Sequence, residues 1–183
     1  MPEIDAEFAK AFGVESGDVE QLKSDIRSNM ERELDRKLRA VLKGNVMDAL
    51  ITANTFDVPA AVVQQEAETL KKQTEVQSPG SNLAIDAFMG DAKRRVQLGM
   101  ILAEVAKTSE LQIDADMIKQ RVEEMARDYD DPDEFIRYYM GNQELLGGIQ
   151  TLVMEDKVVD WIAEQASVSA KTSTFDEVMN PEA

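Results

Sequence analysis

The chain of 183 residues contains neither cysteine nor histidine. Without cysteine there are no disulfides, no thiolate catalysis and no cysteine-based zinc site, and the composition suits a reducing cytosol. Without histidine the commonest general base and the commonest transition-metal ligand are missing, which excludes Ser-His-Asp hydrolysis and His-rich metal chemistry. No apolar run approaches the roughly 20 residues of a membrane span. The opening "MPEIDAEFAKAF" lacks the basic and apolar regions of a signal peptide. A soluble, unexported, cytoplasmic chain is expected, with no membrane contact. Basic charge is also scarce: 20 Lys and Arg stand against 36 Asp and Glu, a formal net charge of -16. Such a surface repels a phosphate backbone and argues against direct nucleic-acid binding. Met1-Pro2 leads straight into folded-looking sequence, as the start of an excised domain would.

What is present is helical periodicity. "FGVESGDVEQL" offers Ser16 or Asp18 as a helix cap, with Asp18 and Gln21 at capping-box spacing. Val19, Leu22, Ile26, Met30, Leu34, Leu38, Val41 and Leu42 then recur every three or four residues, the mark of an amphipathic helix. With no proline before Pro59, it can run from about 19 to 53, on the order of 50 Å at 1.5 Å per residue. A compact domain of about 100 residues has a radius of gyration near 13 Å, so an elongated molecule is expected, with Gly44-Asn45 as a possible bend. Pro59 suits a first helical position and predicts a helix to about 76. "QSPGSN" (77–82) reads as a turn. Further helices are predicted over about 84–108, over 115–128 with Asp114 as cap, over Pro132 to Met140 with Asp131 as cap, and over about 143–166. "TFDEVM" gives one more helical turn. No convincing strand is found, and the class is all-α.

The plan repeats. Residues 39–72 laid over 94–127 give six identities in 34 positions: Arg39/Arg94, Val41/Val96, Gly44/Gly99, Ala60/Ala115, Gln65/Gln120 and Glu68/Glu123. Apolar character also matches at Val46/Ile101, Met47/Leu102, Leu50/Val105, Val58/Ile113 and Leu70/Met125, among others. A weaker third copy follows another 55 residues on, around Val168. Duplication of a helical hairpin produces such a match, and so does the apolar spacing shared by any two amphipathic hairpins. Either way the unit is a long helix, a short connector and a second helix, and function is expected to lie in shape.

Candidate chemistry is thin. "DYDDPDE" gathers Asp128, Asp130, Asp131, Asp133 and Glu134, but Pro132 at the fifth position and no glycine at the sixth spoil it as a calcium loop. Carboxylate pairs can be drawn from 36 acidic residues almost at will and carry no signal. "GDAKRR" and "LGGIQ" are not phosphate loops, and no nucleophile elbow or dinucleotide fingerprint occurs. No enzyme, catalytic residue, metal or cofactor is expected. The notable feature is apolar material beside helix breaks. Met117, Ile118, Met125 and Tyr129 share one helical face, and "FIRYYM" sets Phe135, Ile136, Tyr138, Tyr139 and Met140 just past the acidic turn. Packing of the two helices accounts for part of this set, but Tyr138, Tyr139 and Met140 cannot all enter one seam. Methionine and tyrosine suit surfaces that accept varied partners. Trp161 is expected in the core.

With "FGVESGDVEQLKSDIRSNMEREL", "ANTFDVPAAVVQQEAETLKKQ", "AKRRVQLGMILAEVAK" and the closing "STFDEVMN", the sequence resembles the C-terminal domain of bacterial trigger factor, a ribosome-associated chaperone, from about Pro2 to Ala183. The order and spacing of these motifs carry the resemblance, and the loop from about Gln73 to Asp91 is shorter than the family's. The resemblance implies an all-helical body, about 1–58 and 141–183, with two helical arms over about 59–140 forming a cradle for unfolded chains. It implies ATP-independent binding of unfolded or nascent polypeptides. Ribosome docking and prolyl isomerisation would belong to family domains missing here. "EEMARDYDDPDEFIRYY" corresponds to the second arm. Client contact is expected on Met125, Tyr129, Phe135, Tyr138 and Tyr139, with Ile118 and Met140 nearby. Weak self-association is compatible with the same surface. The alternative reading is a helical dimerisation or scaffold module that uses these faces for one fixed partner.

Overall fold

Asp18 starts the longest helix by accepting from the backbone N–H groups of Glu20 (2.8 Å) and Gln21 (3.3 Å), two of the donors that a helix start leaves without partners. The computed structural model describes residues 4–80, 83–127, 129–167, 169 and 171–180. Ser81 and Asn82 of the turn cluster, Asp128 of the acidic turn and Val168 of the third repeat copy lie outside them. In it the helix runs unbroken over Val19–Ala53 (α2), so Gly44-Asn45 does not interrupt it. Before it comes α1 (Ala6–Ala11), and after it α3 (Ala60–Gln77). A 3-10 turn over Ile85–Phe88 leads to α4 (Met89–Thr108), then α5 (Ala115–Ala126), α6 (Pro132–Met140), α7 (Gln143–Gln165) and α8 (Phe175–Met179). The described residues contain no strand, and the fold is all-α. No helix among them is long and apolar enough to cross a membrane.

Two local expectations are corrected. Asp18 and Gln21 form no reciprocal capping box, because the Asp18 N–H donates to Ser16 Oγ (3.2 Å) and the Gln21 side chain accepts from that same hydroxyl (3.4 Å). Ser16 and Asp18 thus cap in sequence. The helix expected from about 84 begins as the 3-10 turn, and α-helical winding starts only at Met89.

The chain divides into two compact units, Met1–Leu42 with Ser169–Ala183, and Lys43–Val168; the boundary falls inside α2. In the first unit, Asp5 caps α1 by accepting from Phe8 N–H at 2.9 Å. Ala9, Val14 and Leu22 form a small core with Phe8 and Val19 packed on it. The turn from α1 to α2 requires glycine at Gly17: its φ is +71°, and a Cβ there would meet the Ala6 Cβ at 3.1 Å.

The second unit holds two helical groups. Val63 and Ala67 of α3 close on Ala92 of α4, with Val58, Leu70, Ile85, Phe88 and Met89 around them. Arg95 and Glu66 pair across this hairpin at 3.0 Å. The other group is α5, α6 and α7, where Val122, Ile149 and Val153 form the core. The last turns of α2 join both groups through polar contacts. Lys43 pairs with Glu155 (2.9 Å) and Asp156 (3.0 Å) of α7, and Arg94 of α4 pairs with Asp48 at 2.6 Å. Gln97 donates to the Asn54 carbonyl at 2.9 Å. Burial pulls the Lys43 ammonium down, but hydrogen bonds and attraction from Glu155 and Asp156 outweigh it, so its pKa lies above the usual lysine value.

The repeat is visible in the elements themselves. The end of α2 at Ala53 corresponds to the end of α4 at Thr108, and the start of α3 at Ala60 to the start of α5 at Ala115, each 55 residues apart. Val46 and Ile101, Met47 and Leu102, and Ala67 and Val122 are matched pairs in which both members are buried. The third copy does not keep the spacing, since α8 begins only at Phe175.

Candidate functional site

The second helical group is built by two caps and a proline. Asp114 opens α5 by accepting from Met117 N–H at 2.8 Å. Asp131 opens α6 by accepting from Glu134 N–H at 2.9 Å, with Pro132 in the first turn. Pro132 has no N–H to leave unpaired and disfavours a helical conformation at Asp131, so the chain breaks here and turns back. Asn142 repeats the device at α7, accepting from Glu144 N–H (3.0 Å) and Leu145 N–H (3.3 Å). Three short, sharply capped joints therefore fix where the aromatic residues of "FIRYYM" fall.

Those residues divide between core and surface. Ile118, Met125, Phe135 and Tyr139 are half-buried and pack on Val122, Ile149 and Val153, as do Ile113, Met117 and Ile136. Tyr129, Tyr138 and Met140 stay outside, at 56%, 63% and 42% exposure. The rings form a continuous ladder. Tyr129 lies 4.3 Å from Phe135 between centroids, Phe135 stacks on Tyr139 at 4.4 Å, and Tyr139 meets the edge of Tyr138 at 5.9 Å. The first two separations fall just below the usual range for aromatic pairs and the third falls within it. The two inner rings are anchored in the core and hold the two outer ones at the surface. All seven residues singled out from the sequence thus belong to one neighbourhood, four as its base and three as its exposed part.

The charged surroundings are of one kind on the turn and mixed behind it. Asp130, Asp131, Asp133 and Glu134 are exposed beside Tyr129 and Phe135. Behind the ladder, Arg121 of α5 pairs with Glu124 (3.3 Å) and reaches Asp156 of α7 at 3.7 Å. Lys157 of α7 donates to the Gln112 carbonyl in the connector before α5 and lies 3.8 Å from Met117 Sδ. No group of three or more acidic side chains among the described residues is arranged to hold a metal ion. The arrangement offers area, apolar contact and aromatic faces rather than a reacting centre.

Other exposed apolar residues were not singled out from the sequence. Val76, at 81% exposure, lies near the end of α3 away from the Val63, Ala67 and Leu70 stripe, and that displacement was readable from helical spacing. Leu83, Met100 and Leu152 are also exposed in this unit, and Ile26, Met30, Leu38 and Val41 form an exposed row on α2 in the other. Their spacing alone resembles that of core residues. Trp161, expected in the core, is half-buried.

A family model described as the bacterial trigger factor protein (TF) C-terminus matches residues 18–164. Among relatives named trigger factor, that of Cellvibrio japonicus is 42% identical over 191 aligned residues, covering 100% of this chain and 44% of the relative. That of Herminiimonas arsenicoxydans is 40% identical over 186, covering 98% and 42%, and that of Thiobacillus denitrificans is 40% identical over 184, covering 98% and 43%. The chain therefore spans somewhat over two-fifths of the length of these relatives. This match over most of the chain, together with relatives at about 40% identity, places the chain in the family of bacterial trigger factor C-terminal domains.

Proposed function

We propose that the chain is an ATP-independent holding chaperone that binds exposed apolar segments of unfolded or nascent polypeptides, with the Tyr129–Phe135–Tyr139–Tyr138 ladder as one contact surface. The observation that carries this reading is the ladder's division of labour. Phe135 and Tyr139 are tied into the core, while Tyr129 and Tyr138 are held exposed on top of them. A surface of rigid aromatic rings with Met140 at its edge suits clients that differ in sequence, because it asks for apolar area and not for one hydrogen-bond pattern. Family membership supports the same reading.

The energetics favour weak and reversible contact. Apolar transfer is worth roughly 25 cal/mol per Å², so a contact of about 300 Å² gains at most some 7 kcal/mol before association and ordering costs remove much of it. Several such sites on one molecule raise retention through effective concentration, and a client leaves as it buries its own apolar surface. The net charge of -16 keeps the loaded chaperone soluble and favours basic clients. No step of this requires a cofactor or a catalytic residue. We assign ribosome docking and prolyl isomerisation to segments of the longer family members that these residues do not represent.

The test is binding of several unrelated, permanently unfolded segments, each with an apolar patch, measured by fluorescence anisotropy with the intact chain and with a Tyr129→Ser/Tyr138→Ser variant. Binding of all of them, weakened together in the variant, supports the reading. Binding of none, or tight and dilution-resistant association of the chain with one fixed partner, favours the scaffold alternative.

A further inference from the structure

Two exposed apolar surfaces of this chain carry opposite local charge. On α2, Ile26, Met30, Leu34, Leu38 and Val41 follow one another at helical spacing and share one face. Leu34 is half-buried and the other four are exposed. Phe175 forms one wall of an open groove along the first part of this face, with Ile26, Met30 and Leu34, and Lys23, Arg27 and Glu31 stand at the rim. Lys37, half-buried, follows Leu34 by three residues and precedes Val41 by four, which sets it on the same face. Residues 23–41 carry six Lys and Arg against four Asp and Glu, a local charge of +2 in a chain of -16. Residues 128–140, which supply the rings of the ladder, carry one against five, a local charge of -4.

Local charge decides which segments such a face accepts. The row from Ile26 to Val41 is about 22 Å long at 1.5 Å per residue, whereas charges in about 0.15 M salt act over roughly 8 Å. A segment lying on the row therefore feels the charges of α2 itself, and the carboxylate excess elsewhere in the chain is largely screened. Burial of the segment's apolar side chains attracts any such sequence, and the charges beside them supply the preference. Acidic flanks are drawn to Lys23, Arg27 and Lys37, and basic flanks are repelled by the same three cations. Glu31 at the rim and Glu33, three residues from Met30, reduce this bias without reversing it. Lys23 pairs with Glu20 at 2.8 Å, but both side chains are exposed, and a pair of that kind is weak enough to exchange for a new partner.

We infer that the α2 face is a second client-binding surface, selective for unfolded segments whose apolar residues are flanked by Asp or Glu. The inference rests on the client-binding reading above. The ladder, beside Asp130, Asp131, Asp133 and Glu134, disfavours that charge class. The two surfaces thus divide clients by the charge beside their apolar residues, and a protein of net charge -16 still has a place for acidic clients. Two or three exposed charge contacts separate acid-flanked from base-flanked segments at the α2 face by about five-fold in affinity.

The experiment uses the full chain with methyl-labelled Ile, Leu, Val and Met, and two unfolded peptide probes that share one apolar core, one with Asp flanks and one with Lys flanks. The expected result is that the Asp-flanked probe shifts the Ile26, Met30, Leu38 and Val41 methyls at about five-fold lower concentration than the Lys-flanked probe, with the order reversed at Met125 and Met140. In about 1 M salt, where charges act over roughly 3 Å, the two probes should become equal at α2. A Lys23→Gln/Arg27→Gln/Lys37→Gln variant should lose the preference and keep the response to both probes. The salt arm uses the unaltered chain and so decides the matter even where the variant fails to fold. Equal response of the α2 methyls to both probes at low salt, or no response there while Met125 and Met140 respond, overturns the inference alone. Shifts of the α2 methyls with protein concentration in the absence of probe assign the face to a second copy of the chain and also overturn it. No response at either surface overturns the client-binding reading and this inference with it.

Discussion

The α3/α4 hairpin and the α5/α6/α7 group enter through the same connector plan, 55 residues apart, yet they dispose of their apolar residues differently. In the first, Val63 and Ala67 close on Ala92, and the surrounding Val58, Leu70 and Phe88 are drawn in with them. In the second, Asp131 and Pro132 cut the chain after α5 and start a nine-residue helix that carries more aromatic surface than its seam can cover. Matched positions keep the core and the added short helix creates the exposed ladder. The departure from the repeat is where the exposed aromatic rings arise.

The largest expected effect tests the base of the ladder. Ile149 is buried at the α5/α6/α7 core, and Ile149→Ala should cost about 3 kcal/mol through lost transfer energy and a residual cavity. Denaturant unfolding followed at Trp161 would measure it. A loss below about 1 kcal/mol would mean that the ladder is not anchored as described. Next, Tyr129→Ser with Tyr138→Ser should weaken client binding about ten-fold, equivalent to about 1.4 kcal/mol. Stability should change by only about 0.5 kcal/mol, because both side chains are exposed. The same change at Val76 should leave binding at the ladder unaltered and so sharpen the contrast between the two groups.

Asp131→Ala should cost about 1 kcal/mol by removing the α6 cap, and hydrogen exchange should accelerate first at Glu134 and Phe135. The smallest effect concerns the joint that α2 makes with α7. Lys43 is partly exposed, so Lys43→Met should cost less than about 1 kcal/mol. The raised pKa of Lys43 sets the sign: the contribution is fully present below the ordinary lysine value of 10.5 and is lost as pH rises through the higher folded-state value. The difference between the two proteins should therefore be flat across neutral pH and shrink in strong alkali.

Much of the architecture was legible because it is written in local signals. Asp114, Asp131 and Pro132 mark helix starts whose hydrogen bonds are formed where the spacing indicated. The long apolar series from Val19 marks a helix with the expected ends. α1 escaped because six residues are too few to show a period. At Asp18, spacing identified the cap but not the competitor: Ser16 reaches the N–H that a capping box would have assigned to Gln21. The neighbourhood of the site was readable from Tyr129 to Met140, but the separation of Phe135 and Tyr139 from Tyr138 was not. Periodicity says which residues share a face, whereas burial depends on α7, which lies later in the chain and supplies Ile149 and Val153.

The most direct test of the central claim is a backbone and methyl NMR titration of the isotope-labelled chain with a permanently unfolded, apolar protein segment, repeated with segments of unrelated sequence. The account predicts shifts that cluster on Met125, Tyr129, Phe135, Tyr138 and Met140, recur with each segment and shrink in the Tyr129→Ser/Tyr138→Ser variant. An absence of shifts at millimolar segment, with helicity intact, would contradict it.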